Sequence, residues 1–357
     1  MSATVLIRGA FVTLQQIDPL VDPRWPEFVL RHPQSSIFHT RDWLAALHHT
    51  YGYQPIAFTD TNGTDLDNAL VFCKIRSSLT GKRLVSLPFS DHCQPLADQD
   101  SIRAIVHNLQ SHPLARRMKY IEFRPLVKDG LSGIDSFSDT EQFCFHSIDL
   151  RKDIEVLYRD MHHSCIRRKI KRAEKEELIY EQGASQALIS KFRHLFLLTR
   201  RRHRLPPPPA AWFNNLARFL GEKLKIHIVS KGDTPIASIL TLTHKNVIVY
   251  KYGCSDSSFS NMGGTPYLFW TVIQQAKAAG LQEFDLGRSD YEDDGLIAFK
   301  GHLGATATNL TYLRSSPLKP RRSASTSGTA SLMRYTISRL PDPLLAGIGN
   351  ILYRHMG

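Results

Sequence analysis

The sequence predicts an α/β protein built from two tandem units, each a mixed sheet flanked by helices. Segments rich in β-branched and aromatic residues, bounded by turn signals, alternate with amphipathic segments of helical period along most of the chain. The order helix, strand-turn-strand, strand, helix, strand runs through residues 1–150 and recurs through 151–315. Each copy closes on Glu-Phe with an arginine just beyond, as Glu122-Phe123-Arg124 and as Glu283-Phe284 with Arg288. A length of 357 residues is that of two domains.

In the first copy, residues 1–14 have strand composition. Arg8 in their middle, and the lack of a basic opening and of a small-residue cleavage site, argue against a signal peptide. Residues 24–54 read as one amphipathic helix with its flanks, Trp43, Leu44 and Leu47 sharing a face. Strands are expected at 55–59 and 69–75 around an Asn62-Gly63 turn, and again at 82–88. A helix over 99–112 and a strand over 119–124 complete the copy. A polar loop at 128–141 then leads to a domain boundary near residue 150.

The second copy opens with a basic helix from about 153 to 177 and a helix from 186 to 202. The prolines at 206–209 end the helical pattern. Strands follow at 225–230, 236–243 and 247–254, then a helix over 266–279 and a strand over 283–286. Residues 316–357 form a third segment, a linker rich in Ser, Thr, Arg and Pro and then an amphipathic tail helix. Met333, Ile337, Leu340 and Leu344 recur there at helical spacing beside Arg334 and Arg339, and Ile348 and Leu352 extend the stripe. Such a basic amphipathic segment either lies on an anionic lipid interface or packs against the protein body.

Hydrophobic residues make up 42% and aromatics 10%, which excludes global disorder. The 45 Lys+Arg against 33 Asp+Glu give +12 and favour an anionic partner. Five cysteines without a C-x-x-C pair argue against a disulfide framework or a zinc site, so no metal is expected. They fit a reducing compartment. No apolar run reaches the roughly 18–20 residues that span a bilayer. The expected location is cytoplasmic, with peripheral contact at the inner face of the membrane if the tail helix binds lipid.

No G-x-S-x-G, H-E-x-x-H, Walker loop or G-x-G-x-x-G is present, which leaves three informative segments. In the basic helix, Ile166, Ile170 and Ala173 form a core face, and Arg168, Arg172 and Lys175 an outward stripe whose mutual repulsion a polyanion would offset. A solvated helix face explains the same stripe. Gly263-Gly264 precedes a helix start, where backbone N–H groups can approach a phosphate; an ordinary turn with Thr265 as cap and Pro266 in the first turn is the plainer reading. Finally, a strand delivers Asp285 and Arg288 to its C-terminal end, where open α/β sheets bind ligands, and a short helix then carries Lys300.

Together these segments resemble the Fem-type branch of the GNAT acyltransferase superfamily. The resemblance rests on Asp42-Trp43-Leu44, Leu87-Pro88-Phe89-Ser90-Asp91, the basic helix, Gly253-Cys254-Ser255-Asp256, Asp285-Leu286-Gly287-Arg288 and Phe299-Lys300 with Gly304. It covers roughly residues 5–315 and implies two tandem GNAT-like domains. It implies transfer of an acyl or aminoacyl group to an amine of a cell-envelope precursor, a peptidoglycan peptide or an amino sugar of a polysaccharide. The implied donor is aminoacyl-tRNA or acyl-CoA, with no bound cofactor expected. The implied acceptor is a nucleotide- or lipid-linked saccharide precursor, and a monomer is expected. Lys300, Arg288 and Asp285 are the implied catalytic residues, with Asp285 orienting Arg288. Phe299, Gly263, Gly264, Arg168, Arg172 and Tyr252 are the implied substrate contacts. An acyl-CoA-dependent N-acetyltransferase acting on a small amine, or a non-catalytic polyanion- or carbohydrate-binding module, would share much of this pattern.

Overall fold

In the first half, the computed structural model, which describes residues 14–61, 63–315 and 342–356, gives β1 (Gln15–Ile17), α1 (Trp25–Arg31), α2 (Arg41–Tyr51), β2 (Gln54–Thr59), β3 (Leu70–Ser77), β4 (Gly81–Ser86), α3 (Gln99–Ser111), α4 (Pro113–Arg116), β5 (Tyr120–Phe123) and β6 (Ser138–Asp149). In the second half follow α5 (Ile154–Asp160), α6 (Arg168–Lys175), β7 (Ile179–Gly183), α7 (Gln186–Arg202), α8 (Ala210–Leu220), β8 (Leu224–Lys231), β9 (Thr234–His244) and β10 (Val247–Ser255). The chain continues through α9 (Gly264–Ala278), β11 (Glu283–Asp290), α10 (Asp294–His302), β12 (Thr306–Ser315) and a C-terminal helix, α11 (Asp342–Met356).

All twelve strands lie in one mixed sheet in the order β1-β2-β3-β4-β5-β12-β6-β11-β10-β9-β8-β7. From either edge inward the pattern is the same: antiparallel strands, then a parallel pair (β4 with β5, β10 with β11), then an antiparallel last strand. The last strands are exchanged. β6 closes the second half against β11, β12 closes the first against β5, and the two pair with each other at the centre. The boundary expected near residue 150 therefore falls just after a strand that lies, in the sheet, with the other half.

Alternation along the strands divides the core into layers. Val71, Cys73 and Ile75 of β3 and Ile226 and Ile228 of β8 face one cluster, in which α2 of the first half packs on α8 of the second. Trp43 and Trp212 meet there edge to face at 5.3 Å. Leu70 and Phe72 face α3 on the opposite side, and Val229 and Ile239 face α6 and α9. The halves are thus joined by strand exchange and by one shared aromatic layer.

The structure corrects several expected elements. Residues 24–54 hold two helices and a strand start, with α2 capped by the Thr40 hydroxyl and ended by Gly52 at φ +71°. The helix expected over 153–177 is broken at Met161. A wide turn of π geometry over His163–Arg167 follows, started by the His162 imidazole accepting from Cys165 N–H at 3.1 Å. Residues 138–141, read as loop, begin β6. The first five residues of β6 are exposed and the first four of β12 likewise, so neither showed a buried face in the sequence. In the tail, Met333, Ile337 and Leu340 lie outside the described residues. α11 itself packs on the body: Leu345 is buried, Tyr53 Oη donates to the Tyr353 carbonyl at 3.0 Å, and Arg83 donates to the His355 carbonyl at 2.9 Å.

A buried ion cluster fastens the exchange. Glu122 on β5 accepts from Arg124 at 2.8 Å and from Arg314 of β12 at 2.5 Å. Burial would push its carboxyl up, but the two guanidiniums hold it below the usual value. Glu122→Gln leaves two arginines without their anion and should cost about 3 kcal/mol at neutral pH, read by denaturant unfolding. Because the folded pKa is depressed, Glu122's contribution is present above about pH 4.5 and lost as pH falls through the folded value. The variant should accordingly lack part of the wild-type acid sensitivity.

Candidate active site

The site begins where two parallel strands part. β10 and β11 are in register only over Val247–Val249 and Glu283–Asp285. Beyond that point β10 carries a bulge between Tyr250 and Tyr252, and β11 one between Asp285 and Arg288, with Gly287 at φ +70°. The edge of β10 that faces β11 has no ladder partner beyond Val249, so its backbone groups border a cleft. The matching end of the first half is shut: Cys93 N–H donates to the Arg124 carbonyl at 2.6 Å, and Arg124 to the Leu87 carbonyl at 2.9 Å. The loop after β4, carrying Phe89, Ser90 and Asp91, is thereby delivered into the cleft of the second half.

The cleft has a volume of about 490 Å³, and Asp91, Arg124, Arg200, Lys251, Tyr252, Arg288 and Lys300 are among the residues that border it. Lys300, on α10, is 2% exposed and donates to the Gly287 and Arg288 carbonyls, each at 3.0 Å. Burial pushes its ammonium down to about 8, against the pull of Asp91 and Asp285. Asp91 lies 3.3 Å from the Lys251 ammonium. Burial opposes its charge, yet Lys251, Arg288 and Lys300 keep the carboxyl below its usual range. The positive φ favours glycine at 287, and a Cβ there would also stand 2.7 Å from Asp91 Oδ2, so a larger residue would push that carboxylate aside.

Arg288 lies over the Phe143 ring at 3.8 Å, and its Nη1 is buried without a hydrogen-bond partner among the described residues. Lys251 is held over Phe38, Tyr252 and Trp43 at 5.4, 5.6 and 6.0 Å. The structure corrects the expectation that Asp285 orients Arg288: the hydrogen-bond partners of Asp285 are His92 and the Gly287 N–H. Its Oδ2 is 2.9 Å from His92 Nε2, and its Oδ1 accepts from Gly287 N–H at 2.6 Å. It shapes the β11 bulge. Burial alone would lower the His92 pKa, but the Asp285 partner raises it, favouring imidazolium.

A second cavity of about 350 Å³ adjoins the first, and Thr199, His203, Tyr250, Gly253 and Leu296 border both. Lys169, Arg202, Phe299 and the start of α9 at Gly264 and Thr265 line its far side. Phe299 packs edge to face on Phe269 at 5.4 Å. Gly263 is spent on close approach: at φ +79°, a Cβ there would overlap the Lys169 carbonyl, which lies in α6. Gly263→Ala should cost on the order of 3 kcal/mol by denaturant unfolding, from strain plus overpacking against backbone that cannot yield. An unchanged midpoint would contradict this seating.

The structure therefore gathers Lys300, Arg288, Tyr252, Phe299 and Gly264 around two joined cavities, with Asp285 and Gly263 directly behind them. Arg168 and Arg172 are not brought in. Both are exposed, Arg172 lies 3.6 Å from Glu176, and the α6 cation that borders a cavity is Lys169. Asp91, His92 and Lys251 were not singled out as site residues. Asp91 ends the Leu87–Asp91 motif and His92 follows it directly, and that position was the available signal. Lys251 sits inside a strand, where nothing marks it.

Residues 162–300 match the family model described as "Acetyltransferase (GNAT) domain". Among solved structures, the crystal structure of FemX is similar over 84% of this chain and 96% of its own, at 13% identity and a TM-score of 0.66. The structure of L-PGS from Bacillus licheniformis is similar over 89% and 98%, at 16% identity and a TM-score of 0.56. A tandem GNAT protein from the clavulanic acid biosynthesis pathway is similar over 85% and 98%, at 9% identity and a TM-score of 0.53. No curated protein sequence matches the chain. At these identities the structural likenesses establish the fold alone, a tandem GNAT-type arrangement over 84–89% of this chain.

Proposed function

With an acyltransferase domain of the GNAT type set in a Fem-like tandem fold as premise, we propose that this protein moves an acyl or aminoacyl group from an activated ester or thioester to an amine of a cell-envelope precursor. The observation that carries the reading is the parting of β10 and β11 into two joined cavities, one for each substrate. The smaller cavity, with Lys169, Arg202 and the N-terminus of α9, suits the phosphate-bearing end of the donor. The larger suits the acceptor. Its lining holds Arg200, Lys251, Arg288 and Lys300 against the single carboxylate of Asp91, Arg124 being already paired with Glu122. This favours an acceptor carrying phosphate, such as a nucleotide- or lipid-linked saccharide.

In this reading the amine nitrogen attacks the donor carbonyl at the junction of the cavities, forming the C–N bond and an oxyanion. The C–O or C–S bond then breaks, and the amine proton leaves with the departing oxygen or sulfur. Lys300 spends two N–H groups on carbonyls and has a third for the oxyanion or a phosphate. Arg288, at the border of the cleft, supplies positive charge to the acceptor. Asp91, kept anionic by its neighbours, orients the incoming amine and is too weak a base to deprotonate an ammonium outright. An acyl-CoA-dependent acetyltransferase acting on a small amine is the second reading, favoured by the first-turn N–H groups of Gly264 and Thr265, which have no intrahelical partner and border the smaller cavity.

Incubating the protein separately with labelled aminoacyl-tRNA and labelled acyl-CoA, each with a nucleotide-linked muramyl peptide and with a small amine, tests both. Label is expected to pass from one donor to the phosphate-bearing amine. Transfer from acyl-CoA to the small amine alone would support the second reading. Consumption of neither donor, with polyanion binding intact, would mean a binding module and refute both.

A further inference from the structure

Outside both cavities, His162, Cys165 and His302 bring one ligand atom each to within 4.8 Å of one another. They come from two segments that the backbone already fixes together. His162 N–H donates to the His302 carbonyl at 2.8 Å, and Gly304, at φ +83°, lets the chain after α10 pass so close to Asp160 that a Cβ would stand 3.3 Å from it. The two imidazoles approach at 4.4 Å between centroids. His162 is exposed and the other two half-buried, so an ion has access from solvent. Cys73, Cys93, Cys144 and Cys254 are buried, which leaves Cys165 as the accessible thiol.

We propose that these three residues form a site for a borderline d10 cation of the zinc class, with water as the fourth ligand. Two imidazoles and a thiolate disfavour calcium and magnesium, which take oxygen ligands, and suit zinc. Tetrahedral zinc holds N and S ligands at about 2.0–2.3 Å, hence roughly 3.3–3.8 Å from each other. The three atoms need to close by about an ångström, within the reach of side-chain rotation. No C-x-x-C pair is required, which is why composition gave no hint. The trace in the sequence is His162-x-x-Cys165.

Binding would exchange one local bond for another. His162 Nδ1 now accepts from Cys165 N–H, so the neutral ring carries its proton on Nε2. A metal at Nδ1 takes the capping lone pair, and a metal at Nε2 sends the proton to Nδ1; either way the ion replaces the cap. It also releases the Cys165 thiol proton, so affinity should rise with pH. The ion would clamp the turn before the basic helix α6 to the end of α10, two residues beyond Lys300.

The test titrates metal-free, full-length protein with cobalt(II) and follows absorbance. Saturation at one equivalent is expected, with a thiolate-to-cobalt charge-transfer band in the near ultraviolet and the strong visible bands of four-coordinate cobalt. Zinc should bleach them stoichiometrically. Cys165→Ser should remove the charge-transfer band, and His302→Gln should weaken cobalt binding at least tenfold, with metal-free melting unchanged in both. A wild type without the band, the same band in Cys165→Ser, or bleaching by copper(I) and not by zinc would each overturn the proposal. The readout does not depend on any reaction the protein catalyses.

Discussion

Lys300→Met is expected to lower acyl transfer by about 10²–10³-fold while leaving a folded protein, because it removes one charge-assisted donor from the reacting centre. Methionine keeps most of the buried volume. It leaves the Gly287 and Arg288 carbonyls without the ammonium, at a stability cost of about 1–3 kcal/mol that water entering from the cleft reduces. Turnover per folded molecule, measured beside thermal melting, separates the roles. A large fall in Tm with near-normal turnover would make Lys300 a brace for the β11 bulge and nothing more. The wild type supplies a second check. With the ammonium at about 8, transfer should fall on the alkaline side near pH 8 and not near the 10.5 of a free lysine. Unfolding does not explain such a fall. The depressed folded pKa means the unfolded chain binds the extra proton between about pH 8 and 10.5, so this group's contribution to stability rises through that window.

Asp91→Asn should have the second largest effect. The side chain is 17% exposed and faces Lys251, with Arg288 and Lys300 also pulling on its charge. Removing the anion and keeping the shape leaves crowded cations and should cost about 3 kcal/mol in denaturant unfolding. It should also move the alkaline limb of the rate profile to lower pH, since Asp91 is the strongest neighbouring support for the Lys300 charge. A limb that stays in place would show the two groups to be uncoupled. Transfer itself should drop by tenfold or more if Asp91 orients the amine, and an unchanged rate would remove it from the mechanism.

Much of this was legible because the relevant signals are local. The Trp43-Leu44-Leu47 face of α2 and the apolar face formed by Ile166, in the turn before α6, with Ile170 and Ala173 of α6 follow from helical spacing, and all six residues are buried. The placing of Lys300 and Arg288 beside one cleft follows from a strand end succeeded by a short helix. What escaped was long-range. β6 and β12 begin as exposed polar strands and are recognisable only from their mutual pairing, so the strand exchange was invisible. Asp91 reaches the site because the first half's strand pair is shut and sends its loop across to the second half. Arg168 and Arg172 illustrate the opposite error. A charged stripe was visible, but charge density says nothing about which residue faces a cavity, and Lys169, outside that stripe, is the one that does.

The central claim is that donor and acceptor meet through the opening between the two cavities, and Leu296→Trp tests it most directly. Leu296 borders both cavities from the first turn of α10 and is half-buried, so the larger ring can be placed without entering the core. Donor binding and label transfer should be measured on the same preparation. Donor affinity is expected to stay within a few-fold of wild type, while transfer to the amine falls by more than about 100-fold, the scale at which misplacement of reacting atoms is felt. Wild-type transfer in Leu296→Trp, with the protein folded and the donor bound, would contradict the assignment of the joined cavities as the place of reaction.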